Sequence, residues 1–288
     1  MKFSIIITVF NNLQVTLESL KSIANQSFTD YETIIVNNSS EKQSELQEIK
    51  HLKNYKYINA PRNLLYSKSI NLAFQETAGD FIIVLNSDVI LQNDFLKTLD
   101  LLTQKNKITS ATPVIYKEDS TIDSCGIKPG LTMRPIDMKK VPVSYKAFGP
   151  AGSAFIIKKS ACLEMIKYFG SFMDEKISFF YSDLAFAYRL QRLDIKTSIF
   201  PDLKAYHYRG SSTPQVSSFL PFRFCKLSTP YKKLLITNRS HFLTAYTDKT
   251  KILHKLPFII LYNKLLNICL TVQSFPQRYK YKTLLKQL

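Results

Sequence analysis

Buried strands that alternate with helices dominate the first part of the chain. Residues 3–9 (FSIIITV) are apolar and largely β-branched, a pattern typical of a strand buried on both faces of a parallel sheet. The pattern returns at 33–36 (TIIV) and 81–85 (FIIVL), and a short strand is expected at 57–59. Apolar residues at helical spacing fall between these runs, including a helix that carries Leu46 and Ile49. This alternation predicts an α/β fold with a Rossmann-like, mainly parallel sheet flanked by helices.

Polar residues follow three of the predicted strands. They occupy 8–11, 37–40 and 86–88, each at the carboxyl end of a strand. In a parallel sheet these ends lie along one edge, where ligands bind. The sequence has no GxGxxG after its first strand and no GxxxxGK[ST], so neither dinucleotide nor P-loop phosphate binding is supported. We therefore predict a binding site of another kind at this edge.

The stretch 108–213 is predicted to contain short strands, a loop rich in Gly and Pro, and two further helices. The second of these helices begins at Asp183, after an aromatic run. A strand at 197–200 is predicted next, and a short block ending at His207 follows it.

Three residues at predicted element boundaries carry possible chemistry. Asp88 could bind a divalent cation that bridges two phosphates, because hard cations prefer oxygen ligands, or it could cap the next helix. His207 could be a metal ligand through a neutral imidazole nitrogen, although a structural role is favoured when it is taken alone. Asp183 could be a general base or only a helix cap. Residues 209–212 (RGSS) would suit contact with phosphate oxygens.

The order of these motifs resembles glycosyltransferase family 2, a large inverting group with the GT-A fold. The resemblance spans about residues 2 to 213 and rests on the segments 4–40, 59–91 and 149–212. The Asn86-Ser87-Asp88 motif is similar to the DxD-type motif of rhamnosyl- and galactofuranosyl-type members. The resemblance implies a catalytic domain at 1–213, with a nucleotide-binding half at 1–107 and an acceptor-side half at 108–213.

The resemblance also implies roles for individual residues. Asp88 and His207 would hold Mn²⁺ or Mg²⁺, and Asp183 would be the catalytic base. The residues implied to contact the nucleotide or its diphosphate are Thr8, Phe10, Asn11, Asn37, Asn38, Arg62, Lys68 and Asn86.

The implied reaction is metal-assisted direct displacement with inversion. A sugar would pass from a UDP- or dTDP-type nucleotide sugar to a hydroxyl of a cell-surface glycan or lipid-linked oligosaccharide. Three departures from the family pattern leave a second reading open: Asn37 replaces the usual Asp, Ser182 replaces the usual Glu, and Ala185 replaces a further acid. That reading is a catalytically degenerate protein that binds a sugar nucleotide or acts as a scaffold in polysaccharide assembly. A nucleotidyltransferase is disfavoured, because 8–14 (TVFNNLQ) offers neither Gly nor Lys for a triphosphate.

The C-terminal segment, 214–288, is predicted to be basic and helical. From Ala205 onward the chain has 14 Lys or Arg and one acid, Asp248, and so carries +13 of the formal charge of +17. This balance predicts an anionic partner, with a solvated basic face as the alternative. An anionic membrane surface is favoured, because no nucleic-acid-binding signature is present. The start of the chain does not resemble a signal peptide, so we expect a cytoplasmic, peripheral membrane protein, and an oligomer is possible.

The apolar run at 257–272 is interrupted by polar residues. It is too polar for a spanning helix, which needs about 20 apolar residues. Asn263, Asn267, Thr271 and Ser274 would form one polar stripe, and the flanking cations are Lys251, Lys255, Arg278, Lys280 and Lys282. This pattern suits a helix in the membrane interface, or equally a helix packed on the catalytic domain or on a partner.

Overall fold

The computed structural model describes residues 1–10, 13–39, 52, 54–208, 227–248 and 250–271. Several predicted features lie outside the described residues: Asn11, the helix around Leu46 and Ile49, the RGSS segment at 209–212 and the domain boundary at 213/214. Ser274 and the cations after it also lie outside them.

The strands predicted for the first half are confirmed, and two elements are added. The order is β1 (Phe3–Val9), α1 (Leu13–Ala24), β2 (Tyr31–Asn37), β3 (Tyr55–Asn59), α2 (Leu65–Phe74), β4 (Phe81–Asn86), β5 (Val89–Leu91) and α3 (Phe95–Lys105). Short β5 and amphipathic α3 are not anticipated by the sequence pattern.

The second half contains mostly short strands, as expected, and two helices follow them in the described part of the chain. The order is β6 (Ser110–Tyr116), β7 (Ile122–Ser124), β8 (Ile127–Pro129), β9 (Pro135–Asp137), β10 (Lys146–Ala147), β11 (Ala154–Lys158), α4 (Lys159–Phe169), α5 (Ser182–Arg192), β12 (Thr197–His207), α6 (Thr229–Tyr246), a 3-10 turn (Leu253–Lys255) and α7 (Leu256–Thr271).

One large, mixed sheet organises the molecule. Its strand order is β10-β12-β6-β11-β4-β1-β2-β3, with β5 paired to β12 and β7 paired to β6. The run β4-β1-β2-β3 is parallel, and β12 is parallel to β6. Strand β11 is antiparallel to both β4 and β6 and joins the two parallel parts. This arrangement confirms the predicted α/β class with a mainly parallel sheet.

Helices cover both faces of this sheet. Alternate side chains of a strand point to opposite faces, so Ile5 packs with Leu20 and Leu99 on one side. Ile6 packs with Ile70 and Leu190 on the other side. Because both faces are buried, the central strands need the nearly continuous apolar runs seen in the sequence.

The last strand of the sheet differs from the prediction. A strand at 197–200 and a separate block at 205–207 were expected, but β12 is one strand from Thr197 to His207. Its pairing with β6 shifts register between Phe200 and Lys204. Pro201 lies within that interval, and it has no N–H to donate to a neighbouring strand, which explains the local break in the ladder.

The C-terminal helices pack on the rest of the molecule. The ring of Phe242 on α6 contacts Tyr188 on α5, and Nε of Arg189 donates a hydrogen bond of 2.8 Å to the hydroxyl of Tyr246. Helix α7 is tied to α6 by Nε of Arg239, which donates to Oδ1 of Asn263 at 2.7 Å. Within the described part of the chain, no helix is both long enough and apolar enough to cross a membrane.

Candidate active site

Asp88 and His207 meet at one edge of the large sheet, although 119 positions separate them in sequence. Oδ1 of Asp88 lies 3.2 Å from Nε2 of His207, and both side chains are buried. The two residues predicted to share a metal ion are therefore neighbours.

Strand pairing explains how Asp88 and His207 come together. Asp88 lies in the tight turn between β4 and β5, and β5 pairs antiparallel with the end of β12, with His207 opposite Val89. The backbone N–H of Tyr208 donates to the carbonyl oxygen of Asp88 at 3.0 Å, which extends this pairing by one residue. Since the sequence pattern does not predict β5, it does not predict this contact either.

A third residue, Asp123, completes this cluster on the far side of the imidazole. Oδ2 of Asp123 lies 2.8 Å from Nδ1 of His207, and the Asp123 carboxylate is fully buried. Lys139 approaches the same carboxylate, with Nζ at 3.4 Å from Oδ1. In the tautomer in which the Nδ1–H donates a hydrogen bond to Asp123, Nε2 is unprotonated and presents its lone pair on the side of Asp88.

The chemistry of this cluster fits a divalent cation. A carboxylate oxygen and an imidazole nitrogen held 3.2 Å apart suit two neighbouring ligands of one ion, and ligating histidines commonly donate their other N–H to a carboxylate. Within the described ranges, no group of three or more His, Cys, Asp or Glu side chains could hold a metal by itself. Asp88 and His207 would thus supply part of the coordination, as at sites where substrate phosphates supply the rest.

Asp183 lies at the same end of the sheet as Asn86. Because β11 runs antiparallel to β4, the start of β11 lies beside the end of β4, and Asn86 N donates to Ser153 O at 2.9 Å. A Cβ built on Gly152 would lie 2.9 Å from Cβ of Asp183, so only glycine fits against this side chain. The predicted base and the Asn86-Ser87-Asp88 motif thus lie at the same edge of the sheet.

The surroundings of Asp183 favour its protonated form more than water does. Asp183 is half-buried as a residue, and burial of its carboxyl among protein atoms raises its pKa to about 6, with the charge of Asp137 acting in the same direction. The backbone N–H of Leu184 donates to Oδ1 of Asp183 at 2.7 Å and opposes this rise. A carboxylate with such a pKa suits a general base that works near neutral pH.

Tyr66 flanks Asp183 and was missed by sequence reasoning. Its hydroxyl donates a 2.7 Å hydrogen bond to the carbonyl oxygen of Gly152. Burial raises the Tyr66 pKa strongly, and the negative charge of Asp183 adds to the rise. Tyr66 therefore stays neutral and holds the Gly152 backbone against the carboxylate.

The predicted nucleotide-contact residues of β1, β2 and β4 gather at this edge, as expected for parallel strands. Thr8 lies opposite Asn86 on one side and beside the Asn37 end of β2 on the other. Both amide oxygens at the end of β2 are engaged within the protein: Asn37 Oδ1 accepts from Ser39 N at 2.9 Å, and Asn38 Oδ1 accepts from Leu64 N at 3.1 Å. Asn38 also accepts a hydrogen bond from the Ser69 hydroxyl and so links β2 to α2.

The remaining predicted contacts lie around this edge. Phe10 is half-buried immediately after β1, and Lys68 is half-buried on α2. Arg62 is exposed in the turn that follows β3. Their proximity to a nucleotide stays a prediction.

The departures from the family pattern on α5 have structural roles. The Ser182 hydroxyl donates to the carbonyl oxygen of Phe179 and so ties the start of the helix to the preceding loop. Ala185 is buried in an apolar cluster beneath α6. Neither position can supply a carboxylate, so Asp183 stands alone in this motif.

Comparison with known proteins places this geometry in a family. The sequence matches the family model described as "Glycosyl transferase family 2" over residues 4–165, more than half of the 288 residues. The chain belongs to glycosyltransferase family 2. The matched residues include β1 and β4, whose carboxyl ends carry Thr8 and Asn86.

The chain is similar to a curated protein described as an uncharacterized glycosyltransferase, from Rickettsia bellii (strain RML369-C). It is 33% identical over 115 residues, and the match covers 38% of this chain and 16% of the relative. The chain therefore spans far less than two thirds of that relative's length.

Solved glycosyltransferases share the fold. S. aureus TarS 1-349 in complex with UDP-GlcNAc superposes with a TM-score of 0.58 at 16% identity, covering 90% of this chain and 72% of TarS 1-349. GalNAc-T7 with UDP, GalNAc and Mn²⁺ superposes with a TM-score of 0.63 at 15% identity, covering 95% of this chain and 56% of that one. These similarities show that the GT-A fold predicted from the sequence is correct.

Proposed function

We propose that this family 2 member transfers a sugar from a nucleoside-diphosphate sugar to an acceptor hydroxyl, with inversion at the anomeric carbon. The observation that carries the proposal is the meeting of Asp88 and His207 at 3.2 Å, at the sheet edge that also holds Asp183. Donors of the UDP or dTDP type are favoured, and UDP-bound structures share the fold.

The residues of the cluster would bind and orient the donor diphosphate. Asp88 and His207 would hold Mn²⁺ or Mg²⁺ together with the diphosphate, and Asp123 would keep the His207 ring in the orientation that presents Nε2. A bound divalent cation would neutralise the charge that builds on the leaving diphosphate.

Asp183 would act on the acceptor. Its carboxylate would take the proton from the acceptor hydroxyl as that oxygen attacks the anomeric carbon and the bond to the diphosphate breaks. Gly152 leaves room beside the carboxyl, and the neutral hydroxyl of Tyr66 fixes the Gly152 backbone.

A non-catalytic role in sugar-nucleotide binding or scaffolding is the second candidate. Its support is the absence of carboxylates at Ser182 and Ala185, where the family usually has acids. The pKa of about 6 at Asp183, which suits a general base near neutral pH, favours the enzyme instead.

The acceptor and the location of the protein are part of the same proposal. We propose a hydroxyl of a cell-surface glycan or a lipid-linked oligosaccharide, and a peripheral location on the cytoplasmic side of the cell membrane. The basic balance of residues after Ala205 supports a location at an anionic surface.

A ligand panel tests this function. Thermal unfolding of the full chain is measured with UDP-, dTDP- and GDP-sugars, each with Mn²⁺ and with a chelator. We expect one class of nucleotide sugar to raise the unfolding temperature only when Mn²⁺ is present, because a ligand that binds the native state stabilises it. No response to any nucleotide sugar would contradict the proposal.

A further inference from the structure

Helix α7 has one face in the protein and one face outside it. Ile259 and Leu266 are buried, and they lie on the side that faces the rest of the molecule. The opposite side presents large apolar residues whose exposed fractions range from 38% to 66%. They are Leu253 in the preceding 3-10 turn and Phe258, Ile260, Leu261, Leu265 and Ile268 on the helix. We call these six residues the α7 apolar face.

Packing fixes which side of α7 is available. Asn263 belongs to the polar stripe that the sequence predicts, yet its Oδ1 accepts a 2.7 Å hydrogen bond from Arg239 on α6. Tyr262 lies beside it, with its ring 4.8 Å from the Arg239 guanidinium carbon. Asn263 is thus used inside the molecule, whereas the six residues of the α7 apolar face are exposed. A contiguous exposed apolar patch of this kind marks an interaction site.

The charges around the α7 apolar face indicate its partner. Lys264 is exposed within the face, and exposed Lys251 precedes its first residue, Leu253. From Lys249 to the last residue the sequence contains no Asp or Glu. Long lysine side chains can lay their methylene groups on an apolar surface and direct the ammonium group to anionic head groups.

A second copy of the chain would complement this face poorly. Symmetric pairing of two α7 helices would bring two identical basic surfaces together, since a two-fold interface uses the same patch on both subunits. An anionic bilayer offers both an apolar interior and neutralising charge.

We propose that the α7 apolar face docks on an anionic lipid bilayer, with the helix axis in the plane of the membrane. The proposal rests on the membrane location given under the proposed function and names the surface responsible. Apolar burial and electrostatic attraction would act together, as in interfacial helices.

A tryptophan reporter tests the contact directly, because the chain contains no Trp. The Leu261→Trp variant places a single indole on the α7 apolar face, and Leu163→Trp places one at an exposed position of α4 as a matched control. Vesicles of phosphatidylcholine alone and with phosphatidylglycerol are added. We expect a blue shift of emission for Leu261→Trp with anionic vesicles only, and no shift for Leu163→Trp. An unshifted Leu261→Trp emission would overturn the proposal.

Vesicle flotation measures how much the α7 apolar face contributes to the affinity for anionic vesicles. Ile260→Ser, Leu261→Ser and Ile268→Ser combined should weaken binding to anionic vesicles by at least about tenfold. Leu131→Ser combined with Leu163→Ser, which alters exposed apolar residues elsewhere, should leave binding unchanged. Equal binding of the triple variant and the parent chain would refute the surface. A parent dimer in light scattering that the triple variant abolishes would assign the face to a second copy and refute it as well.

The donor assay separates this proposal from the proposed function. The triple variant should keep the Mn²⁺-dependent response to the nucleotide sugar. A chain that binds anionic vesicles through α7 but responds to no nucleotide sugar would contradict the proposed function and support the surface.

Discussion

Nδ1 of His207 lies 2.8 Å from Oδ2 of Asp123, a fully buried carboxylate on the three-residue strand β7. This contact sets the imidazole so that Nε2 faces Asp88. We therefore expect Asp123 to act through His207 rather than on the donor itself.

Replacing Asp123 should weaken metal binding. We expect Asp123→Asn to lower Mn²⁺ affinity about 10- to 100-fold, because an amide holds the imidazole orientation and basicity less well than a carboxylate. Free Mn²⁺ is followed by electron paramagnetic resonance in the presence of a nucleoside diphosphate. Asp119→Asn, at an exposed position nearby, is the control. Unchanged affinity in Asp123→Asn would remove Asp123 from the site.

The pH dependence should report Asp183. Its pKa is raised to about 6, and a general base works only when deprotonated. We therefore expect kcat/KM to fall about tenfold per pH unit below about pH 6 and to level off above it. A plateau that continues unchanged to pH 5 would exclude Asp183 as the base.

Removal of the Asp183 charge should separate chemistry from binding. Asp183→Asn is expected to lower transfer by about 10²- to 10⁴-fold and to leave donor affinity largely intact. Asp202→Asn, an exposed change on β12, is the matched control. An active Asp183→Asn enzyme would disprove the assignment.

Asp183→Asn should also stabilise the folded protein, and the gain should be larger at high pH than at low pH. The pKa of Asp183 in the folded protein lies above the ordinary aspartate value of 3.8, so its stabilising contribution is fully present below pH 3.8 and is lost as the pH rises through about 6. Asp183→Asn should therefore raise the unfolding temperature more at pH 8 than at pH 5. A larger gain at pH 5 would show that the pKa is not raised.

Arg239 should influence catalysis from the C-terminal helices. Nη1 of Arg239 donates to the hydroxyl of Tyr181 at 2.7 Å, and Tyr181 has a φ of 68°, a left-handed conformation, two residues before Asp183. Arg239→Met should lower kcat with little change in the KM for the donor, because the start of α5 loses this support. Lys233→Met, exposed on the same helix, should change neither. An unchanged kcat in Arg239→Met would limit Arg239 to a packing role.

Much of the fold could be predicted because its central strands are buried on both faces. Residues 3–9 and 81–85 are nearly continuous apolar runs, which is the pattern of strands buried on both faces. Polar residues follow both runs, and parallel pairing brings them together at one edge of the sheet. The C-terminal helices were harder to interpret, because Lys232, Asn238 and Arg239 are charged or polar in sequence and yet buried. Sequence patterns alone do not distinguish such residues from a solvated face.

The candidate site could be predicted only in part. Asp88, His207 and Asp183 were found from their order in a family pattern, whereas the contact between the first two depends on the pairing of β5 with β12. Asp123 lies on a strand too short to show periodicity, and its place beside His207 follows from pairing with β6. Tyr66 and Gly152 meet across 86 positions, a relationship that local sequence cannot encode.

The most direct test of the central claim is release of nucleoside diphosphate from the donor that the ligand panel identifies. It is measured for the parent chain with Mn²⁺ and with a chelator, and for Asp88→Ala with Mn²⁺. We predict release by the parent chain with Mn²⁺, and near-complete loss in the other two conditions. Full turnover in the chelator, or in Asp88→Ala, would contradict the account of Asp88 and His207 as the residues that hold the metal and the donor diphosphate.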